Sequence, residues 1–267
     1  MYKAPVEEIL FTLKHVAGLS EDLADGIFGA LDEDLVDAIV GEAGRFATEE
    51  VAPLADIGDK QGSKLIDGQV QVPEGWAELY RNWAAGGWNS LTAPEEFGGQ
   101  ALPHMLHIAA MEFWNAGSMA FALAPMLTMG AVDALEKHGS ADLKATFLAR
   151  MISGEWTGTM NLTEPHAGSD LGVLKTRAER RNDGTYRIFG QKIFITWGDH
   201  EVTGNIVHLV LARIAGAPEG TRGISLFLVP KFLVNADGSL GARNDLCDNL
   251  NNPDRTRQTG IFDRTLS

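Results

Sequence analysis

The sequence predicts an α+β fold in which an N-terminal all-helical domain is followed by an antiparallel β-barrel-like domain. Apolar residues recur at three- and four-residue steps through the first 152 residues, as on the buried face of amphipathic helices. From Trp156 onwards, runs of β-branched and aromatic residues alternate with Gly, Pro, Asn and Asp, which is typical of strands joined by turns. A helical half before a strand half places the boundary near residue 154.

Capping and breaking residues set the bounds of the predicted helices. Asp32 is a suitable N-cap for the first amphipathic run, and Pro53 is expected to end that run. Ser140 is a good N-cap for the last helix of this half. The predicted helices cover residues 33–52, 74–85, 103–115, 118–138 and 141–152.

The second half contains segments with the composition of strands. The predicted strands cover residues 156–163, 173–179, 185–196, 205–214 and 223–229. The chain becomes rich in Asn and Asp from Arg243, and neither periodicity persists there. The predicted organisation is therefore a helical domain over 1–154, a β domain over 155–242 and an aberrant or disordered tail over 243–267.

Charge and composition exclude several classes of function. A formal net charge of −14 argues against nucleic-acid binding, because phosphate binding needs a concentrated basic surface. The same acidity disfavours docking on an acidic membrane leaflet, and we expect no segment long enough to span a membrane. The N-terminus becomes acidic before any apolar run, unlike a signal peptide, and a lone Cys247 excludes an internal disulfide framework. We therefore expect a soluble, cytoplasmic protein.

Two segments of the β half carry the features of a ligand site. The first, Met160–Asp170, combines two hydroxyls with a proline that forces a turn and with Gly168, which permits close approach of a ligand. The second, Gly190–Gly198, follows about thirty residues later with an aromatic residue and a threonine. Each segment alone is typical of an ordinary loop or core strand; their order, spacing and position behind a helical domain favour a shared site.

Together these segments resemble the paired flavin-binding segments of the acyl-CoA dehydrogenase family. The resemblance covers roughly residues 35–235 and includes the loop 94–99, which is similar to the family's loop before the helix bordering the acyl pocket. It implies an FAD cofactor and α,β-oxidation of an acyl-CoA thioester, in which a carboxylate removes the α-proton and a hydride passes to flavin N5. It also implies an electron-transfer flavoprotein as electron acceptor and a homo-oligomer if the chain is complete; an acyl-CoA oxidase is the nearest alternative.

The resemblance assigns five candidate site residues. Leu162 and Thr163 would lie along the flavin ring, with backbone and hydroxyl meeting its pyrimidine edge. Ser169 matches the residue that contacts the cofactor diphosphate or the pantetheine arm of the substrate. Phe194 stands where the family places an aromatic ring against the isoalloxazine face, and Thr196 matches the hydroxyl bonded to N5.

A subgroup is also indicated by two stretches. Residues 196–200 and 226–232 are similar to those of larger bacterial enzymes, including the 3-methylmercaptopropionyl-CoA dehydrogenase-like branch. Trp197 departs from the asparagine more common in ordinary members. These departures favour the branch without identifying an acyl chain.

No catalytic base can be assigned from the sequence. The family's base is a glutamate on a C-terminal helical domain, and no acid of this chain matches it, although Glu112 and Glu164 lie in resembling segments. The change in composition at Arg243 suggests that the chain is C-terminally truncated by a frameshift or premature stop. The alternative function is accordingly a catalytically incomplete fragment, or a flavin-binding subunit completed by another polypeptide.

Other kinds of site have less support. His104 and His107 have a helical spacing that suits a metal ion, but no convincing further ligand follows, so we expect no metal. Ser225 lacks the glycines of a nucleophile elbow. There is no glycine-rich phosphate loop, so FAD would bind without a Rossmann fingerprint.

Overall fold

The structure is a computed structural model that describes residues 2–244 and the backbone of residues 261–263 and 265–266. The chain divides into two compact units. The first comprises residues 1–64 and 71–126, and the second comprises residues 65–70 and 127–267. The predicted change from helix to strand falls between residues 152 and 156, where the last helix ends and the first strand of the main sheet begins.

The helical half has short helices at its start and longer ones towards its end. The α-helices of the described residues are α1 (Val6–Phe11), α2 (Leu19–Ala24), α3 (Glu33–Phe46), α4 (Ala52–Gln61), α5 (Trp76–Ala85), α6 (His104–His138) and α7 (Ala141–Ile152). Both predicted N-caps are confirmed, since Asp32 Oδ1 accepts the Leu35 amide at 2.8 Å and Ser140 Oγ accepts the Leu143 amide at 3.4 Å.

Pro53 does not end the first amphipathic run, contrary to the prediction. A π-helical turn over Ala47–Val51 links α3 to α4, and Pro53 lies in the first turn of α4. The proline follows the π turn, in which the Ala52 amide donates to the Ala47 carbonyl, so it lies where the hydrogen-bond pattern changes from π to α. The helical path therefore continues to Gln61.

The long helix α6 contains the interruption that the sequence predicted. Ser118 has φ −161° and ψ 98°, so the helical geometry breaks at the residue expected to begin a second helix. By length and composition, α6 is also long and apolar enough to cross a membrane. The expectation that no segment reaches spanning length was therefore wrong. The most apolar stretch of α6 is 56% buried within the protein. A buried core helix of a soluble protein has the same length and composition, so these two properties alone do not show a membrane span.

The first unit is built on an aromatic core. Trp114 of α6 packs edge-on against Trp83 of α5 at 5.6 Å between ring centroids and against Trp88 at 5.4 Å. Trp83 contacts Tyr80, one turn earlier, at 5.8 Å. Each of these rings is buried, and such pairs add to the stabilisation that burial of their apolar area provides.

The second unit is built on a mixed sheet. In addition to the small pair β1 (Lys64–Ile66) and β2 (Gln69–Gln71), the strands of the described residues are β3 (Trp156–Asn161), β4 (Arg177–Arg180), β5 (Thr185–Phe189), β6 (Asn205–Ile214), β7 (Ile224–Pro230), β8 (Phe232–Val234), β9 (Leu240–Arg243), β10 (Ile261–Asp263) and β11 (Thr265–Leu266). The main sheet runs β10-β5-β4-β6-β7-β11, with β3 also paired to β6. The predicted helical-then-β order is confirmed. The sheet is nevertheless not wholly antiparallel, since β3 and β4 both run parallel to β6.

Two predicted strands end differently in the structure. β4 begins at Arg177, because Leu171–Val173 form a 3₁₀ turn. β5 ends at Phe189, so the predicted continuation over 190–196 is not a strand. Regular structure persists to Arg243 in β9, and β10 and β11 lie within the predicted tail; residues 245–260, 264 and 267 lie outside the described residues.

Candidate functional site

The first candidate segment leaves β3 and folds into a tight turn. Asn161 ends β3, and Glu164 and Ala167 then exchange two backbone hydrogen bonds of 2.8 and 3.1 Å. Pro165 occupies this turn and fixes the direction of the chain. Beyond the turn Ser169 is exposed, and Thr163 before it is half-buried.

The second candidate segment is an irregular loop in which two aromatic residues have left-handed backbone angles. Phe194 has φ +57° and Trp197 has φ +53°. The ring of Phe194 is 87% exposed, and Thr196 between the two aromatics is also exposed. A left-handed bulky residue is strained, so the loop holds an apolar ring in solvent at some energetic cost.

Three interactions join the two segments. The Ile193 amide donates to the Thr163 carbonyl at 2.9 Å. The Lys192 ammonium donates to the Leu162 carbonyl at 2.9 Å and to Glu164 Oε1 at 2.8 Å. Both segments are visible in the sequence, but no role was predicted for Lys192; its only signal there is a lysine directly before the apolar run Ile193–Ile195.

Glu164 is the centre of these contacts. Its carboxylate also accepts the amides of Lys175 at 2.7 Å and Thr176 at 3.1 Å, and its Oε2 lies 3.4 Å from Nε2 of His166. Burial alone would raise the pKa of Glu164, but the Lys175 amide and the Lys192 ammonium outweigh it and hold the pKa well below its usual value. A carboxylate so occupied is poorly suited to act as a general base.

An open cavity of about 530 Å³ lies beside this carboxylate. Glu164, His166, Lys175, Arg177 and Gln191 are among the residues that line it. The walls are therefore polar, and the turn of the first segment forms one side of the cavity.

Two buried histidines, His208 on β6 and His200 in the loop before it, contact threonines of β3. His200 Nε2 lies 3.0 Å from Thr157 Oγ1, and His208 Nδ1 lies 2.7 Å from Thr159 Oγ1. Burial, reinforced by the Lys231 ammonium, lowers the pKa of His200 to about 3. Burial lowers the pKa of His208 to about 4. Both imidazoles are therefore neutral near pH 7 and bond the two threonines as neutral groups.

Asp199 anchors the end of the second segment. It accepts Lys231 Nζ at 2.6 Å and lies 3.6 Å from Nη2 of Arg243, while Lys231 also donates to the His200 carbonyl at 2.9 Å. The second segment is thus fixed at both ends, by Lys192 and by Asp199, with its exposed aromatic residue between them.

Arg213 fixes the loop that follows the first segment. Its guanidinium donates to the carbonyls of Leu174 at 3.0 Å, Gly172 at 2.6 Å and Gly220 at 2.8 Å. Asp170 Oδ1 in turn accepts the Gly172 amide at 2.8 Å. The backbone after Ser169 therefore enters a turn, Leu171–Val173, that side-chain hydrogen bonds hold in place.

The five predicted site residues occupy two neighbouring stretches of backbone. Leu162 and Thr163 are tied directly to the second segment through their carbonyls. Phe194 and Thr196 lie on the exposed part of that segment, and Ser169 is exposed on the first. Their roles at a flavin stay predictions. Within the described part of the chain, no three His, Cys, Asp or Glu side chains are grouped to hold a metal ion.

The sequence matches known proteins over nearly its whole described length. Residues 34–155 match the family described as acyl-CoA dehydrogenase, N-terminal domain, and residues 159–245 match its middle domain. The chain is 47% identical over 245 residues to the 3-methylmercaptopropionyl-CoA dehydrogenase of Ruegeria pomeroyi, covering 92% of this chain and 42% of that protein. It is 34% identical over 250 residues to a butyryl-CoA dehydrogenase of Syntrophomonas wolfei, covering 92% of this chain and 41% of the relative.

The fold agrees with these matches. The structure of butyryl-CoA dehydrogenase from Megasphaera elsdenii superposes with a TM-score of 0.60 at 22% identity, covering 87% of this chain and 56% of that one. The chain thus spans less than half the length of the two sequence relatives named above. Because the N-terminal and middle domain families together match well over half of its residues, the chain belongs to the acyl-CoA dehydrogenase family.

Proposed function

We propose that this chain binds FAD through its two candidate segments and serves the α,β-oxidation of an acyl-CoA thioester. The proposal depends on one observation: two hydrogen-bond donors of Thr163 have no acceptor in the described residues, and the exposed ring of Phe194 lies on the adjoining segment. Within the described residues, neither the amide nor the hydroxyl of Thr163 donates a hydrogen bond to the protein. Phe194, on the adjoining segment, presents an aromatic face that is 87% exposed.

These groups fit the chemistry of a flavin. A flat aromatic ring system is held by stacking and by a few hydrogen bonds at its edge. Phe194 supplies an apolar face, and the hydroxyls of Thr163, Thr196 and Ser169 are short groups able to donate or accept. FAD, when bound, would supply the acceptor for the hydride that leaves the β-carbon of the substrate.

The residues of this chain would hold and orient the flavin and the substrate. Leu162 and Thr163 would bind the pyrimidine edge of the ring, and Thr196 would bond the atom that accepts the hydride. Ser169 would contact the diphosphate of the cofactor or the pantetheine arm of the substrate. Gly168 leaves room for this approach, because a Cβ added there would meet only the Thr163 methyl group, at 3.7 Å.

We propose the chain length of the acyl group rather than a single substrate compound. The relative at 47% identity is named for a methylmercapto-substituted short acyl-CoA, and the one at 34% is named for butyryl-CoA. A short-chain acyl-CoA is consistent with both names. We further propose an electron-transfer flavoprotein as acceptor and a homo-oligomeric assembly of the whole enzyme.

Titration of the purified chain with FAD tests the proposal directly. Binding should quench FAD fluorescence and perturb the visible flavin absorbance. Thr163→Val and Thr196→Val should each weaken FAD binding roughly fivefold, the effect of losing one hydrogen bond of about 1 kcal/mol. Thr221→Val changes another exposed threonine of the same unit and should leave the affinity unchanged.

Bleaching of the bound flavin separates binding from turnover. Anaerobic addition of a short acyl-CoA should bleach the absorbance if a base is available to the substrate. A yellow protein that no acyl-CoA bleaches would support the alternative of a flavin-binding fragment or subunit. A wild-type chain that is folded and does not bind FAD would contradict the proposal.

A further inference from the structure

The ion pair between Lys192 and Glu164 is buried where the two candidate segments meet. Each side chain is only 2% exposed, and their charged atoms lie 2.8 Å apart. The pair is therefore largely withdrawn from solvent and is screened less than a surface pair, although Glu164 also lines the open cavity. Neither side chain is among the five residues assigned to the flavin.

Burying such a pair is unfavourable unless its geometry and further hydrogen bonds compensate. Both ions lose hydration, and a well-packed apolar pair of similar size is often as stable. The carboxylate of Glu164 is fully engaged with the amides of Lys175 and Thr176. The ammonium of Lys192, by contrast, has a second acceptor in the Leu162 carbonyl, so the charge is directed at the peptide between Leu162 and Thr163.

The amide of that peptide belongs to Thr163, which is proposed above to bind the pyrimidine edge of the flavin. An ammonium on a carbonyl oxygen polarises the whole peptide group, so the N–H at its other end becomes a stronger donor. The N–H in question belongs to Thr163, which donates to no acceptor among the described residues. The Thr163 carbonyl, which belongs to the next peptide, is fixed at the same time by the Ile193 amide, so the backbone is held on both sides of the Thr163 Cα.

We propose that Lys192, held in place by Glu164, is a positioning residue for the cofactor: it orients and polarises the Leu162–Thr163 peptide so that the Thr163 amide binds the electron-rich pyrimidine edge of the flavin. This inference rests on the proposed function. On this proposal, the buried charge pair affects the affinity and the redox potential of the flavin in addition to the stability of the fold.

A purely structural role makes a different prediction, and paired substitutions separate the two. Lys192→Met alone leaves a buried carboxylate without its cation, which should destabilise the fold under either view. Lys192→Met combined with Glu164→Gln removes both charges, while the oxygen of the introduced side-chain amide can still accept from the backbone of Lys175 or Thr176. A structural role requires the double variant to recover both stability and FAD affinity; a positioning role requires it to recover stability only.

The experiment uses the full chain with FAD as the probe. Urea unfolding reports stability, quenching of FAD fluorescence reports Kd, and spectroelectrochemistry reports the flavin midpoint potential. We expect the double variant to unfold near the wild-type midpoint while its Kd for FAD rises roughly tenfold, as for loss of a charge-assisted hydrogen bond. The matched control Lys137→Met removes an exposed lysine of the same unit that lies outside the candidate site, and it should leave stability and Kd unchanged.

Glu164→Gln alone keeps the test decisive if the methionine variants do not fold. It retains the ammonium and adds one net positive charge beside the site, so the midpoint potential should become more positive because reduction places negative charge on the flavin. The double variant, which loses the polarising ammonium, should shift the potential the other way relative to Glu164→Gln. Unchanged affinity and potential in every folded variant would overturn the inference while leaving the proposed function intact. A folded wild-type chain without FAD affinity would overturn both.

Discussion

The two compact units bury different chemistry. In the first unit, the buried polar side chains of the described residues are neutral, namely Asn89, Ser90 and Ser118, and the core is dominated by tryptophan. The second unit buries an ion pair, in the loops that follow β3 and β5, and two histidines that contact β3. Among the described residues, the first unit buries side chains that are neutral at pH 7, Tyr80 included, whereas the second also buries an ammonium, a carboxylate and two imidazoles.

The difference separates residues that stabilise from residues that position. Apolar burial is favourable without any particular partner, whereas a buried ion must be paired and hydrogen-bonded. Burying groups that need such specific partners costs stability. Such groups are useful where a ligand must be oriented. We infer that the first unit contributes stability through its aromatic core and that the second carries the cofactor chemistry.

The largest effect is expected from the aromatic core. Trp114→Ala removes a ring that is 0% exposed and contacts Trp83 and Trp88, so it should lower the free energy of unfolding by about 3–5 kcal/mol. Phe194→Ala removes a ring that is 87% exposed and should change stability by less than about 0.5 kcal/mol. Urea unfolding of both variants checks the contrast. Similar losses in the two would contradict the division between core and ligand face.

The next effect is a loss of stability in mild acid that originates in the second unit. The pKa of His200 is about 3 and that of His208 about 4 in the folded chain, against 6.5 for an unperturbed histidine. Below pH 6.5 the unfolded chain therefore binds more protons, and stability falls with pH until the folded pKa values are reached. The slope should approach about 1.4 kcal/mol per pH unit for each histidine.

Unfolding free energies at pH 7 and pH 5 measure this slope. His208→Asn removes one titrating group while Asn can still meet the Thr159 hydroxyl, so the pH dependence should become about half as steep. His138→Gln changes an exposed histidine and should leave the slope unchanged. The groups whose charges face His200 are Lys231, Asp199 and His208. An unaltered slope in His208→Asn would show that the buried histidine is not its source.

Much of the fold could be predicted because its signals are local. The caps at Asp32 and Ser140 and the break at Ser118 depend on neighbouring residues, and the structure confirms all three. The bounds of β6, residues 205–214, also agree with the prediction. Strand direction could not be predicted in the same way, because a period of two is identical in parallel and antiparallel strands.

The candidate site was predicted in part for the same reason. Its two segments are visible as local motifs, but the Lys192–Glu164 pair joins residues 28 apart in sequence, and no pattern shows that distant charges meet. The strand predicted over 185–196 ends at Phe189, because β-branched composition does not show which acceptors the backbone amides of residues 190–196 bond. The Ile193 amide bonds Thr163 and the Gly198 amide bonds Ile195, neither in a strand ladder. The cytoplasmic location stays a prediction.

A smaller effect should follow from the confirmed N-cap of α3. Asp32→Ala removes the carboxylate that accepts the Leu35 amide at 2.8 Å, so the free energy of unfolding should fall by about 1 kcal/mol. Asp32→Asn retains an acceptor and should recover most of it. FAD affinity should be unchanged in both, since the cap belongs to the unit assigned to stability. A loss of affinity without unfolding would contradict that assignment.

The smallest expected change in stability comes from the strained aromatic of the second segment. Phe194→Gly places glycine at φ +57°, where a bulky residue is strained by about 1 kcal/mol, but glycine also adds a similar entropy to the unfolded chain. The two terms oppose each other, so the urea midpoint should scarcely move. FAD affinity should nevertheless fall, because the exposed ring is lost. Trp197→Gly provides the comparison at the second left-handed aromatic, whose ring packs against His200 at 5.3 Å and should therefore contribute to stability. A Phe194→Gly chain that binds FAD as tightly as the wild type would show that the strain at this residue does not serve the cofactor.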